Sequence, residues 1–299
     1  MKKYILLIIP IMLLLSCETP ISVKLPKSSS TKVIEGWIEN GQSPIVVVSN
    51  SLDYYSTINV DSIQASVDKD AIVTVTDEYG NTEQLKLGFS FEHIFGLMGA
   101  VYSGTTIVGE AGKTYYLRVE DKDGNVYTAT TTIPNNTVNI DSLKFTNNNP
   151  TDTAALIRVY FTDEASTYDC YRFFVKVNNL DVCYSQISLG TFDDLTFNGK
   201  AMNYEMIRSP LSNMVMTAMS EKDREAYYRR YFKKGDVVCV RSTLTDTATL
   251  NYWFPLQVDV QVGFVAYMIT STYPTNIKGE NVTGIWSGYN ARYDTLVFE

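Results

Sequence analysis

Short segments along most of the chain alternate between apolar and polar residues. Ala71–Asp77 and Thr114–Glu120 have an apolar or aromatic residue at every second position, and Val126–Ile133 follows nearly the same pattern. A period of two is typical of β-strands that bury one face. Lys32–Glu39 is a further strand-like segment, and an Asn-Gly turn follows it. Short strands joined by turns at this spacing predict an immunoglobulin-like antiparallel β-sandwich over residues 32–134.

Two loops within this predicted domain carry local signals. Asp121–Asn125 (DKDGN) joins two of the strands, and its carboxylates and glycine invite comparison with a calcium loop. The EF-hand pattern needs a further ligand before the glycine and a Glu at the twelfth position, so we interpret the segment as a hairpin turn. Gly112–Tyr115 (GKTY) enters a strand and resembles a tyrosine corner, in which the Tyr hydroxyl holds the preceding loop.

The second half of the chain, residues 135–299, is predicted to form a second β-rich domain that carries one clear helix. Its strand-like segments are Ser142–Thr146, Ala154–Thr162, Tyr171–Val177, Asp236–Leu244 and Tyr293–Phe298. The helix is expected near residues 221–234, because Ser220 is a suitable N-cap and Gly235 a suitable C-terminal cap. Residues 248–261 stay ambiguous between a helix and other structure, since Pro255 lies inside them.

The N-terminal segment MKKYILLIIPIMLLLSC has two lysines and an apolar stretch too short to span a bilayer. This pattern predicts a secretory signal peptide over residues 1–16. The end of this segment resembles the lipobox of bacterial lipoproteins. The resemblance predicts cleavage between Ser16 and Cys17 and acylation of Cys17. The alternative is an ordinary signal peptide in which the cysteine occurs by chance. Glu18 favours the outer membrane as the address. Residues 17–31 then form a lipidated tether, and several acyl chains anchor the protein to the membrane.

Charge and composition exclude several classes of function. The 299 residues include 25 Lys+Arg and 33 Asp+Glu, which gives a formal net charge of −8 and argues against nucleic acid as a partner. His93 is the single histidine, so the chain lacks the histidine base of most hydrolase mechanisms and the histidine ligands of most zinc sites. No catalytic residue, metal ligand or cofactor is predicted. Besides Cys17, an odd number of cysteines remains, and Cys170, Cys183 and Cys239 are expected to be buried thiols.

Motifs spread over nearly the whole chain occur in an order that is more specific than any one of them. They are VIEGWI in the first strand, A-x-V-x-V-x-D-x-x-G, G-K-T-Y-x-L-x-V, Asp193–Gly199 (DDLTFNG), Gly235–Val238 (GDVV) and Pro274–Ile277 (PTNI). In this order the chain resembles the Bacteroidota outer-membrane lipoproteins of the domain of unknown function 4249 family. The resemblance implies an extracytoplasmic lipoprotein, often encoded near TonB-dependent transporters and their surface lipoprotein partners that import nutrients. It carries over no catalytic residue, and orientation toward the cell surface or the periplasm stays open.

The most unusual stretch is Gly88–Gly104, in which aromatic residues alternate before a glycine-rich tip. One interpretation places the phenylalanines in the core, and the other is a projecting apolar loop that contacts a partner or ligand. The aromatic residues near position 253 also have two interpretations: they stack on a sugar or peptide ligand, or they pack in the core. The candidate contact residues are Phe91, His93, Phe95, Leu97, Met98, Tyr252 and Trp253.

Five Asp-Ser/Thr-apolar triplets resemble the O-glycosylation acceptor of this bacterial group. About one or two such triplets would arise from background usage, although strand ends also produce them. The candidate acceptors are Ser62, Ser142, Thr153, Thr247 and Thr295.

Three functions are compatible with the sequence. The first is a non-catalytic outer-membrane lipoprotein that serves as an accessory binding or assembly subunit of a TonB-dependent uptake system for oligosaccharides or peptides. The second is a structural or adhesive cell-surface lipoprotein. The third is a glycoside hydrolase with a pair of carboxylates, since that chemistry needs no histidine.

Overall fold

The computed structural model describes residues 30–52, 60–90, 99–146, 153–178, 180–181, 183–208, 229–262 and 273–299. Two helices occur in this part of the chain, α1 (Val60–Ser66) and α2 (Thr247–Val262). The strands are β1 (Lys32–Glu39), β2 (Ile45–Asn50), β3 (Ile72–Asp77), β4 (Thr82–Gln84), β5 (Lys86–Ser90), β6 (Gly99–Ser103), β7 (Thr114–Glu120), β8 (Val126–Thr132), β9 (Ile140–Thr146), β10 (Ala154–Thr162), β11 (Cys170–Val177), β12 (Ser185–Asp193), β13 (Ala201–Met206), β14 (Phe232–Lys233), β15 (Val237–Thr245) and β16 (Val282–Val297). The chain is thus mainly β, as its alternating pattern predicts.

The strands form three sheets. The large sheet has eight strands in the order β12-β11-β15-β16-β1-β2-β6-β5. The first small sheet has the order β4-β3-β7-β8, and the second contains β13, β10 and β14, with β9 also paired to β10. The long strand β16 pairs in parallel with β1 and antiparallel with β15. The large sheet therefore joins strands from both sides of the predicted boundary near residue 134.

Both small sheets pack on the same face of the large sheet, which gives two sandwich-like layers with separate cores. The first core contains Ile34 and Trp286 of the large sheet and Val73 of the first small sheet. The second contains Val240 of the large sheet, packed against the second small sheet. Trp286 and Asp294 lie on one face of β16 because they are eight residues apart, and Asp294 pairs with Val240. The two cores consequently share one side of a continuous sheet.

Close approach between the layers requires a glycine in β16. A Cβ atom at Gly288 would lie 2.7 Å from the carbonyl oxygen of Thr132, at the end of β8. That separation is shorter than van der Waals contact, so a side chain at this position would push β8 away from the sheet.

The tyrosine corner predicted from Gly112–Tyr115 is present. The Tyr115 hydroxyl accepts a hydrogen bond of 2.8 Å from the backbone N–H of Glu110 and donates one of 3.2 Å to the carbonyl oxygen of Val108. The predicted hairpin turn after β7 is confirmed as well. The Asp121 carboxylate accepts hydrogen bonds from the backbone N–H groups of Asp123 and Asn125, which closes the turn.

The helix predicted near residues 221–234 is wrong where the structure describes it. Residues 221–228 lie outside the described residues, while Phe232–Lys233 forms β14 and pairs with Ala154 and Ala155 of β10. The Phe232 side chain is fully buried in the second core, and Arg229 pairs with Asp236 at 2.7 Å. Tertiary packing of Phe232 thus overrides the local helical pattern.

The ambiguous segment at 248–261 is helical. Asp246 precedes α2 and accepts a hydrogen bond of 2.8 Å from the backbone N–H of Thr249, which is an N-cap. Pro255 lies inside the helix, whose Tyr252 and Trp253 pack against the large sheet through Ile285. Capping and burial of these aromatic residues compensate for the hydrogen bond that proline removes.

Of the three cysteines that are expected to be buried thiols, two are buried. Cys170 and Cys183 are buried and Cys239 is partly exposed, and none of the three is in a disulfide. No helix within the described ranges is long and apolar enough to cross a membrane. The signal peptide at 1–16 and the acceptor Cys17 lie outside the described residues.

Candidate functional site

The face of the large sheet that points away from both cores carries polar and charged residues on its central strands. Along β1, Ile34 and Ile38 point into the first core, so the alternating residues Glu35, Trp37 and Glu39 lie on the opposite face. A sheet that carries two carboxylates on a central strand needs partners for them. The neighbouring strands supply those partners.

Strand register brings an arginine and two tyrosines to this face. Glu39 is aligned with Tyr289 of β16, and Tyr293 of β16 is aligned with Arg241 of β15. Arg241 is in turn aligned with Phe174 of β11. These side chains surround a cavity of about 280 Å³, which we call the polar-face pocket; its lining residues are Trp37, Glu39, Gln42, Ser43, Ile45, Arg172, Phe174, Tyr184, Arg241, Tyr289 and Tyr293.

A buried ion pair forms the floor of the polar-face pocket. The Arg241 guanidinium donates to the Glu39 carboxylate through Nε at 3.0 Å and also through Nη2. The Tyr293 hydroxyl donates to the other oxygen of Glu39. Burial lowers the pKa of Arg241, but Glu39 and Tyr293 outweigh it and raise that pKa overall. Arg241 therefore keeps its charge in an interior position, and its hydrogen bonds to Glu39 hold both side chains in place.

Arg172 forms a second cationic centre behind this pair. Its guanidinium is completely buried and donates hydrogen bonds to Thr191 Oγ1 at 3.2 Å, Gln186 Oε1 at 2.8 Å and the Tyr289 hydroxyl. It also lies 4.3 Å from the ring centroid of Trp253. Burial lowers the pKa of Arg172, and Tyr289 partly opposes that effect. Ring faces and neutral acceptors thus stabilise a charge that has no carboxylate ion pair among the described residues.

The ring of Phe174 links the two arginines. It lies 4.9 Å from the guanidinium of Arg172 and 4.7 Å from that of Arg241, measured to the ring centroid. Cation–π contact on an aromatic ring keeps both planar groups stacked. The shared ring and the hydrogen bonds of both guanidinium groups together order the pocket floor.

Helix α2 closes one side of the site. Gln257 donates a hydrogen bond of 2.8 Å to the carbonyl oxygen of Thr191 and accepts one of 2.6 Å from Gln186, which ties the helix to β12. Tyr252 donates to Glu35 at 3.4 Å. Burial raises the pKa of Glu35 to about 7, although the Tyr252 hydroxyl and Arg172 act in the opposite direction. A carboxyl group that is about half protonated at pH 7 therefore lies beneath the helix.

The mouth of the pocket presents aromatic rings beside polar groups. Tyr293 is 50% exposed, and Trp37 and Tyr184 are partly exposed. Gln42 and Ser43 add neutral hydrogen-bonding groups at the rim. Such a surface suits a ligand that has both apolar faces and hydroxyl groups.

The pocket does not offer a metal site. Within the described part of the chain, its lining includes a single carboxylate, Glu39, and this is already occupied by Arg241 and Tyr293. Hard cations need several oxygen ligands, and zinc needs nitrogen or sulfur ligands that this lining lacks.

Two of the predicted contact residues lie next to the pocket and not in its lining. Tyr252 and Trp253 are 5% and 2% exposed, and they pack on Ile285 beneath α2. Here they support the wall of the site through Glu35 and Arg172, which corresponds to the core-packing interpretation. The other predicted contacts, Phe91, His93, Phe95, Leu97 and Met98, lie outside the described residues.

The candidate glycosylation acceptors differ in exposure. Thr153, Thr247 and Thr295 are exposed, whereas Ser62 on α1 and Ser142 on β9 are partly buried. Attachment of a sugar needs an accessible hydroxyl, so the three threonines are the better candidates.

Sequence reasoning missed the charged residues of the pocket. Arg172 lies within the otherwise apolar run CYRFFVKV, and Arg241 lies within VVCVRSTL. A charged residue in the middle of a buried strand needs an ion pair, hydrogen bonds or aromatic ring faces around it, so such a residue in the sequence indicates a buried polar site. The partner of Arg241 could not be inferred from the sequence, because Glu39 lies 202 positions away in the chain.

Comparison with known proteins settles the family. The family model described as "Domain of unknown function (DUF4249)" matches residues 18–294. The chain belongs to this family. A search of the curated proteins finds no match. The match includes every strand of the described structure except the last residues of β16, so the polar-face pocket is part of the family's domain.

Proposed function

We propose that this DUF4249 protein is a non-catalytic, lipid-anchored outer-membrane protein that binds nutrients as an accessory subunit of a TonB-dependent uptake system. The observation that carries the proposal is the polar-face pocket, in which a charged floor held by hydrogen bonds lies below aromatic rings that are exposed or partly exposed. Preorganised concave sites of this kind are the usual setting for small-ligand binding. The lipobox ending at Cys17 supplies the anchor, and the resemblance stated above supplies the transporter context.

The position of the pocket favours an oligosaccharide over a peptide. The pocket lies over β1, β15 and β16, which are interior strands of the large sheet with backbone partners on both sides. Extended peptides commonly bind by adding a strand to a free sheet edge, and no edge is available at these strands. A sugar, by contrast, packs its C–H faces on the rings of Trp37 and Tyr293 and hydrogen-bonds to the polar rim.

The carboxylates on this face support binding more than hydrolysis. Glu39 is neutralised by Arg241 and cannot easily act as an acid or a nucleophile. Glu35 and Glu39 are four residues apart on β1, which separates their Cα atoms by about 13 Å. A glycosidase needs both carboxyl groups available at one glycosidic bond, whereas Arg241 and Tyr293 already occupy the carboxylate of Glu39.

One observation favours a glycoside hydrolase as the second candidate. Glu35 has a pKa of about 7 because of its burial, which is a value suited to a general acid. Incubation with a panel of oligosaccharides, followed by detection of released reducing ends, tests this candidate. Hydrolysis by the natural protein that disappears in Glu35→Gln would support it and would contradict a purely binding role.

Purification from native outer membranes tests the uptake proposal directly. A tagged protein is expressed in its own host, solubilised in mild detergent and purified, and the co-purifying proteins are identified by mass spectrometry. A TonB-dependent transporter is expected among them, and the amount should fall in the anchor variant Cys17→Ser. Recovery without any transporter would instead support the structural or adhesive alternative.

A further inference from the structure

Three aspartates from two loops meet at one end of the second sandwich. Asp163 and Asp169 lie in the loop between β10 and β11, and Asp194 follows β12. One carboxylate oxygen from each lies within 4.8 Å of the other two. The side chains are well away from solvent, since the residues are 4%, 8% and 0% exposed, respectively.

The two loops hold the aspartates in fixed positions. The backbone N–H of Asp169 donates to Asp194 Oδ2 at 3.0 Å, and the N–H of Asp194 donates to the carbonyl oxygen of Asp169 at 3.2 Å. The N–H of Gly199 donates to Asp163 Oδ2 at 2.7 Å, and Gly199 has a φ of +71° that favours glycine. The Asp193–Gly199 motif therefore folds back to complete the cluster.

Within the part of the chain that the structure describes, no cation balances the charges of the cluster. No lysine or arginine of the described ranges forms an ion pair with any of the three aspartates. Three carboxyl groups in such a position require either bound protons or a cation.

An unused oxygen distinguishes between these two solutions. Asp194 is completely buried, and its Oδ1 atom has no hydrogen-bond partner among the residues that the structure describes. Its Oδ2 atom is already held by the N–H of Asp169. A buried carboxylate oxygen without a partner loses its hydration with no compensation, which a directly coordinated cation would supply.

We propose that Asp163, Asp169 and Asp194 bind a calcium ion that fastens the β10–β11 loop to the Asp193–Gly199 loop. The available ligands are all oxygens, which selects a hard cation over zinc. Ca²⁺ accepts irregular arrangements of six to eight oxygens, whereas Mg²⁺ demands near-octahedral geometry and retains its water. The site is independent of the polar-face pocket and of the uptake role, because it is built from different loops.

Thermal unfolding of the chelator-treated protein tests the proposal. The chain without its signal peptide is treated with EDTA, dialysed, and titrated with CaCl₂ or MgCl₂ to about 10 mM, which covers the range of extracellular calcium modules. The Tm is expected to rise by several degrees with Ca²⁺ and much less with Mg²⁺. Terbium provides a second readout, since Tyr171 donates its hydroxyl hydrogen to Asp163 and can sensitise Tb³⁺ luminescence at the site.

Variants identify the site even if the metal also binds elsewhere. Asp194→Asn should lose about 100-fold or more in calcium affinity and lose the Tyr-sensitised terbium signal. In EDTA the same variant should be at least as stable as the natural protein, because one buried like charge has been removed. The matched control is Asp123→Asn, at an exposed position of the Asp121–Asn125 turn, and this variant should keep both responses. No calcium-dependent change in Tm, or an equal change in Asp194→Asn, would overturn the proposal in favour of shared protons.

Discussion

Arg241 Nε donates a hydrogen bond of 3.0 Å to Glu39 Oε2, although the two residues are 202 positions apart in the chain. They belong to β15 and β1, and β16 lies between these strands in the large sheet. The pair can form only after strands from both halves of the chain have assembled. The floor of the polar-face pocket is therefore a product of the complete fold.

Removal of one member of this pair should destabilise the protein strongly. Arg241→Met leaves the Glu39 carboxylate buried without its cation, and such losses typically cost about 3–5 kcal/mol. Urea unfolding followed by circular dichroism measures the change. Arg158 is a suitable control, because its pair with Glu205 is exposed and Arg158→Met should cost about 1 kcal/mol or less.

The double variant separates the pair from its surroundings. Arg241→Met combined with Glu39→Gln removes both charges and should recover part of the lost stability. If the single and double variants were equally unstable, packing around Arg241 and not its charge would explain the loss.

The tyrosine corner should contribute measurably to the first core. Tyr115→Phe removes the hydroxyl that bridges Glu110 and Val108 and should lower the free energy of unfolding by about 1–2 kcal/mol. Tyr116→Phe on the same strand is the control, since this side chain is 47% exposed and the expected change is within about 0.5 kcal/mol. Equal effects of the two substitutions would show that the corner is not structurally important.

Glu35 should make stability depend on pH in the direction opposite to most carboxylates. Its pKa is about 7 in the folded protein against 4.5 in the unfolded chain, so the folded state binds more protons between these values. Stability should consequently fall as the pH rises from about 4.5 to 7. Glu35→Gln should remove this fall and be more stable above pH 7 by roughly 1–3 kcal/mol.

Unfolding curves of both proteins across this pH range check the effect. Because other groups titrate in the same range, the informative quantity is the difference between the natural protein and Glu35→Gln. A difference that is constant with pH would contradict the raised pKa of Glu35.

Lipidation at Cys17 is tested by mass and by partitioning. The natural protein should carry acyl chains on Cys17 and enter the detergent phase of a phase-separation assay. Cys17→Ser should lack this mass and stay in the aqueous phase or retain its signal peptide. A natural protein that begins after Cys17, with no added acyl mass, would contradict the lipoprotein assignment.

The local features of the fold could be predicted from the sequence because they depend on neighbouring residues. Alternation in Thr114–Glu120 and the GKTY motif specify a strand and its corner within a few positions. The helix expected near 221–234 failed because burial of Phe232 against β10 depends on distant residues. The parallel pairing of β1 with β16 could not be predicted for the same reason, because no local signal selects a partner about 250 positions away.

The candidate sites show the same division. The sequence identified Tyr252 and Trp253 as candidate contacts, but it did not predict their burial. Pro255 left the secondary structure of this segment ambiguous, so the helix that buries both residues could not be predicted. The Asp193–Gly199 motif was visible as a family feature without a role. Its meeting with Asp163 and Asp169 requires the pairing of β11 with β12, which brings the two loops together.

The most direct test of the binding role is calorimetric titration with a panel of neutral and acidic di- to hexasaccharides, with tri- to hexapeptides as a second panel. The comparison includes Trp37→Ala at the pocket mouth and Tyr116→Ala on a distant surface as the control. We expect saturable binding of at least one saccharide, with an affinity at least about tenfold weaker in Trp37→Ala and unchanged in Tyr116→Ala. Absence of binding to both panels, or equal affinity in the natural protein and Trp37→Ala, would contradict the binding role.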